Sequence, residues 1–182
     1  MPRSYKNGKE DPIAREKVHY ASTLAGMAFA NAFLGVCHSM AHKMGTAFNL
    51  PHGLANALLI NQVIRYNAND CPKKQCAFPQ YKFPNAKAKY GQIVDNLGFG
   101  CMKDKTDDDK VNMLLDAITQ LKKDVEIPLS IKDAGISEEL FYSKLDELCE
   151  LAFDDQCTGA NPVYPLMSEI RELYIQAYEG KY

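Results

Sequence analysis

Apolar positions recur at helical spacing along almost the whole chain, and no stretch shows the convincing two-residue alternation of a half-buried strand. Asp11 is placed to N-cap a long helix, with Pro12 in its opening position, where a missing N–H costs nothing. The pattern carries that helix to about Leu34. Ala21, Gly26, Ala28, Ala30 and Ala32 make it small-faced, so a neighbouring element can approach it closely. The most apolar run, Leu24 to Cys37 (LAGMAFANAFLGVC), is short for a membrane span and contains Asn31, so it reads as a buried core helix. Gly35 marks a bend before a segment bearing His38 and His42, and Gly45 is expected to end that segment. Pro51 starts the next helix, HGLANALLINQVIRYNA, with Leu54, Leu58 and Val63 or Ile64 at helical spacing.

Asn69 to Asn85 contains Pro72, Pro79 and Pro84 and reads as a long surface loop. Further helices are predicted over about 84–97, 107–124, 137–153 and 165–179. The second of these has Asp107, Asp108 and Asp109 in its first turn and Lys122 and Lys123 in its last, which complements the helix dipole. Ser137, followed by Glu138 and Glu139, starts the third. Gly98 in the Gly-Phe-Gly stretch at 98–100 is a C-cap rather than part of a phosphate-binding turn, because it follows a helix and not a strand. There is no internal repeat. The fold class is all-α, one bundle-like domain over residues 1–182.

Candidate chemistry concentrates in HSMAHKMGTAFNLPHG, His38 to Gly53, which holds three of the four histidines of the chain. His38 and His42 are four apart and share a helix face. A turn followed by a second helix can bring His52 back beside them. Neutral imidazoles suit zinc or ferrous iron. Capping and packing explain the same pattern equally well, since His-x-x-x-His pairs are common on helices. No Asp or Glu lies between His38 and His52 to complete a ligand set, and nothing in the chain cradles a pyrophosphate.

Composition narrows the field only a little. A formal charge of -2 leaves no basic footprint for nucleic acid. The opening residues, MPRSYKNGKEDP, are polar throughout and carry no secretory leader. The six cysteines, Cys37, Cys71, Cys76, Cys101, Cys149 and Cys157, form no Cys-x-x-Cys pair and are expected to be reduced thiols of a cytoplasmic protein.

The residues GVCHSMAHKMGTAFNLPHGLANALLINQVIRYNAND resemble the second signature region of the iron-dependent alcohol dehydrogenase family. Together with AREKVHYASTLAGMAFANAFLGVCHSMAHK and AFDDQCTGANPVYPL, they resemble the bifunctional aldehyde-alcohol dehydrogenases of fermentative organisms, over nearly the whole chain. The resemblance covers only the helical C-terminal half of the alcohol dehydrogenase unit. It implies that His38 and His52 are two of four metal ligands, the other two lying in a preceding segment together with an α/β nucleotide-binding half. It also implies that His42 acts in proton relay and contacts the nicotinamide. Phe29 is a candidate for lining that pocket, although an aromatic on such a helix is more often core. The loop Cys157–Pro162, CTGANP, is expected to face the cleft.

The implied reaction is reversible reduction of a short-chain aldehyde, acetaldehyde first, with NADH and ferrous iron, zinc remaining possible. Both cofactors need the upstream nucleotide-binding domain, so the chain alone is expected to be inactive. A face carrying Phe29, His38 and His42 would then be open in this chain by itself. Partners are expected to be that domain, the aldehyde or alcohol, and further copies in an oligomer or filament, but neither nucleic acid nor membrane. Two rival readings stand beside this one: an assembly module of the filament-forming enzyme without catalysis, and a small protein that binds metal through His38, His42 and His52 together.

Overall fold

The computed structural model of the chain describes residues 1–70, 85–99 and 104–182, and these form eight α-helices. They are α1 (Pro2–Asn7), α2 (Pro12–Ala32), α3 (Val36–Phe48), α4 (His52–Asn67), α5 (Ala86–Leu97), α6 (Asp107–Asp124), α7 (Glu138–Phe153) and α8 (Met167–Glu179), with a 3₁₀ turn over Thr158–Ala160. No strand occurs among the described residues. The proline-bearing loop expected between Asn69 and Asn85 falls almost wholly on residues 71–84, outside the described residues.

Local chemistry sets most helix ends. Asp11 Oδ1 accepts from Ala14 N at 3.0 Å, capping α2 as the sequence suggests. Thr106 and Asp109 cap α6 reciprocally, each side chain bonded to the other residue's backbone N–H. Ser137 Oγ accepts from Leu140 N at the start of α7. Gly98 ends α5 in the left-handed region. Gly45 does not end α3, contrary to expectation. The helix runs three residues further to Phe48, and Asn49 closes it at φ 54°, a conformation that asparagine tolerates. Gly45 serves the turn in another way. Its carbonyl accepts from Leu50 N at 2.9 Å, and a Cβ there would lie only 3.2 Å from the Leu50 carbonyl oxygen. The short α1, in the stretch read as polar leader-free sequence, was not predicted.

The main core lies between α3, α4, α7 and α8. Met40, Met44, Leu58, Leu59, Phe141, Leu145 and Tyr174 are fully buried there. Each such side chain contributes about 1.5–3 kcal/mol on burial, far more than helix propensity does. Phe141 stacks on Tyr178 with ring centres 4.3 Å apart. The Tyr174 hydroxyl donates to the Met40 carbonyl at 2.8 Å, fastening α8 to α3. A second, smaller core joins α4 to the α5–α6 hairpin through Ile64, Val94, Val111, Leu114 and Leu115. α4 is therefore the shared wall of both.

α2 departs from its reading as a core helix. Ala14 is its only buried residue, and Leu24, Met27 and Phe29 are 64%, 60% and 50% exposed. The reason is geometric: α2 meets α3 at a bend of 112° and swings away from the main core. Ile13, Tyr20, Leu24 and Met27 fall on one helical stripe, all exposed. Among the described residues no single helix is long and apolar enough to cross a membrane.

Candidate metal centre

The turn between α3 and α4 folds His52 back onto the helix before it. The ring centres of His38 and His52 are 5.5 Å apart, those of His42 and His52 5.5 Å, and those of His38 and His42 6.0 Å. The structure thus brings together all three histidines singled out from the sequence. Phe29 stands apart: it is half exposed on α2, and no ring contact joins it to the three histidines among the described residues.

Several side chains that sequence reasoning passed over complete this neighbourhood. Asn56, one turn into α4, donates from Nδ2 to the His52 carbonyl at 3.1 Å and lies 3.1 Å from His52 Nε2. Any ligand on that nitrogen must displace the second contact. From the other side comes the segment after α7. Its Asp155 has a largely buried carboxylate that lies 2.9 Å from Lys43 Nζ and 3.5 Å from His42 Nδ1. Asp155 Oδ1 also accepts from Cys157 N at 3.0 Å. Burial would raise the Asp155 pKa. The Cys157 N–H and the Lys43 ammonium more than offset this and hold the carboxyl well below the usual carboxylate range. Cys157, buried and bonded toward Asp155, has its thiol pushed up to about 11.

One residue ties this loop to the histidine helix. Asn161 is buried, and its Oδ1 accepts from Val36 N at 3.2 Å, capping the start of α3. Its Nδ2 donates to Asn67 Oδ1 and to the Val163 carbonyl, both at 2.7 Å, and Asn67 Nδ2 returns a bond to Oδ1 at 3.4 Å. The CTGANP loop is therefore fastened to the start of the histidine helix and to the end of α4. The signal for Asp155 was weak: two aspartates, Asp154 and Asp155, directly before that loop at a helix end.

Two donor sets within this cluster differ in their fitness for a cation. His38, His42 and His52 present nitrogen donors only. Burial, then the nearby His52 and His42, lower the pKa of His38, which keeps its imidazole in the form that can bind. Ring centres 5.5–6.0 Å apart place the three imidazoles side by side. Among the described residues, the set of three ligand atoms that lie within 4.8 Å of one another is that of His42, Asp155 and Cys157. That set already holds a competing cation. Its carboxylate is already paired with the Lys43 ammonium, and its thiol is protonated at neutral pH.

Comparison with known proteins agrees with this reading of the fold. The profile of the Fe-containing alcohol dehydrogenase family, C-terminal, matches residues 1–178. The chain is 55% identical over 181 residues to the bifunctional aldehyde-alcohol dehydrogenase of Escherichia coli, covering 100% of this chain and 20% of that one. It is 55% identical over 179 residues to the aldehyde-alcohol dehydrogenase of Clostridium acetobutylicum, covering 98% of this chain and 20% of the relative. Among solved structures, the iron-containing alcohol dehydrogenase from Thermococcus thioreducens superposes with a TM-score of 0.76 at 34% identity, over 100% of this chain and 42% of that one. The chain thus spans a fifth of the length of these two relatives. With a family profile matched over residues 1–178 and a fold shared with a solved member, the chain belongs to the Fe-containing alcohol dehydrogenase family, as its all-helical C-terminal domain.

Proposed function

We propose that this chain is the metal-binding helical part of an NAD-dependent alcohol dehydrogenase that interconverts acetaldehyde and ethanol. His38 and His52 serve as two ligands of a ferrous ion, and His42 as the group that moves the proton. The observation that carries this reading is the closed triangle of imidazoles at the α3–α4 junction, with ring centres 5.5–6.0 Å apart. The bound metal supplies Lewis-acid polarisation of a carbonyl, and the nicotinamide supplies hydride. The residues of this chain do the rest. His38 offers a neutral nitrogen because it is partly buried beside two other imidazoles. His52 sits at the first position of α4, held by Asn56. The His42 side chain is 37% exposed, open enough to exchange a proton with a substrate oxygen. Relatives matched over the whole of this chain are named as aldehyde-alcohol dehydrogenases, which supports the choice of a short aldehyde.

The α/β half that would complete the ligand set and anchor the nicotinamide is, on this reading, a separate part of the enzyme. The test is NADH oxidation by acetaldehyde under anaerobic conditions with ferrous iron, for the chain alone and with the nucleotide-binding half supplied in trans or fused. The chain alone is expected to be inactive and to hold metal weakly. With its partner half, iron and turnover should appear together, and His38→Ala or His52→Ala should remove both. Sustained turnover by the chain alone would sink the proposal, as would iron retention undiminished in both variants.

A further inference from the structure

We propose that Asp155 is the positioning residue for His42: its carboxylate faces Nδ1, keeps the proton on that nitrogen, and so leaves Nε2 free to take part in proton transfer. The proposal rests on the reading that His42 handles the proton.

A carboxylate buried to 8% exposure in its side chain needs partners in fixed places, because an uncompensated buried charge is costly. Asp155 has them. The Cys157 N–H holds Oδ1 at 3.0 Å, and the Lys43 ammonium holds Oδ2 at 2.9 Å. Ser39 Oγ lies 3.5 Å from Oδ1, and its hydroxyl is itself 2.8 Å from the Thr158 hydroxyl, which donates to the Ala152 carbonyl at 2.6 Å. The carboxylate is therefore anchored by the loop behind it and by α3 beneath it. The Cys157 thiol is bonded to the same carboxylate, and His42 Nδ1 faces Oδ2 at 3.5 Å.

At 3.5 Å this contact is electrostatic rather than a formed hydrogen bond. It still selects a tautomer. Nδ1 facing a carboxylate is favoured with its proton on, which leaves the lone pair on Nε2, at the far side of the ring. His52 stacks on the His42 ring at an interplanar angle of 23°, restricting its tilt. Sites of this kind commonly tighten when substrate and cofactor close over them.

The competing use of the same atoms is a second cation held by His42, Asp155 and Cys157. Lys43 decides against it. Its ammonium already occupies the carboxylate oxygen that a cation would need, so binding would require expelling one positive charge to admit another.

The test has two parts. In the purified, metal-free chain, ring ¹⁵N chemical shifts above the imidazole titration range report the tautomer directly. Wild-type His42 is expected as the Nδ1–H form, and Asp155→Asn as a mixture with more Nε2–H. A wild-type Nε2–H form overturns the proposal without reference to any variant, so a poorly folding Asp155→Asn does not shelter it. In the complete iron-loaded enzyme, Asp155→Asn should lower kcat by at least ~10-fold with iron content and KM unchanged. The same substitution in a His42→Ala background should change kcat by less than ~2-fold, because a residue acting through His42 has nothing left to act on. Additive losses, or iron lost with Asp155→Asn, would overturn the positioning role. Full activity in His42→Ala alone would instead refute the proton-transfer reading of His42.

Discussion

Replacing Asn161 by alanine is expected to destabilise the chain by about 3–4 kcal/mol. The amide uses its full bonding capacity: Oδ1 accepts from Val36 N and Asn67 Nδ2, and Nδ2 donates to Asn67 Oδ1 and the Val163 carbonyl. Truncation leaves a helix-initiating N–H, a loop carbonyl and the Asn67 amide oxygen without the partner Asn161 supplied, while Asn67 keeps its bond to Tyr90, all in a region sealed from water. Four bonds at a net ~1 kcal/mol each give about 4 kcal/mol, and water entering the vacated space would return part of it. For a chain of this size, 3–4 kcal/mol corresponds to a fall in Tm of roughly 6–16 °C. Asn161→Asp sharpens the test. It is nearly isosteric and keeps the acceptor for Val36 N, but it loses both donations and places a carboxylate against two carbonyl oxygens. It should therefore recover little or none of the loss. Urea unfolding followed by far-UV circular dichroism, with the m-value checked for constancy, measures both variants. A cost below about 1 kcal/mol for either would show that the loop is held on α3 by other contacts, and the latch argument would fail.

Gly35→Ala should also destabilise: its Cβ would lie 2.7 Å from Asn161 Oδ1, a contact the fixed amide cannot relieve, and the penalty should shrink in an Asn161→Ala background. Lys122, in the last turn of α6, is buried beside a cavity of about 100 Å³ shared with Asn61 and Gln62, and burial lowers its pKa to about 8 from 10.5. Above pH 8 the folded chain gives up this proton before the unfolded chain does, so the unfolded state binds more protons and stability rises with pH. Relative to Lys122→Met, the wild type should therefore gain about 2 kcal/mol between about pH 7 and 9.5 in paired urea titrations, and a flat difference would refute the shift. Cys37, Cys149 and Cys157 are buried with thiols pushed up to about 12, 11 and 11. Alkylation mapped by mass spectrometry at pH 8 should leave these three unlabelled until denaturant is added, and rapid native labelling of any of them would contradict its burial. The exposed stripe of Ile13, Tyr20, Leu24 and Met27 should bind ANS or drive self-association, and Leu24→Lys with Met27→Lys should abolish it; a monodisperse wild-type monomer without dye binding would count against an uncovered apolar face.

Elements specified by short-range chemistry were legible in the sequence. The Asp11–Pro12 start of α2, the Ser137 start of α7 and the Gly98 stop of α5 depend on residues within four positions of one another, and the acid-first, base-last arrangement of α6 lies within one helix. The histidine cluster was legible for the same reason, since a four-residue spacing plus one turn fixes it almost alone. What escaped depends on distant partners. The burial of α2 was misjudged because an apolar helix is buried only if something packs on it, and the bend at Gly35 turns it away. Gly45 looked like a helix stop, yet Asn49 supplies the left-handed residue and the glycine supplies space for Leu50. Lys122 looked like a dipole partner and is enclosed by elements far along the chain. Asp155, Lys43 and Asn161 lie inside stretches the sequence singled out, but their meaning lies in contacts across more than ninety residues.

The bond from Val36 to Asn161 spans 125 residues, and that separation has a consequence in time. At a synthesis rate of about 5–20 residues per second, α3 leaves the ribosome some 6–25 s before the loop that caps it. During that interval all three imidazoles are already on the nascent chain, while the Asp155 carboxylate and the Asn161 latch do not yet exist. The histidine helix is thus made first without its cap and is fastened only when the later loop arrives. The order of synthesis separates the making of the imidazole cluster from its anchoring.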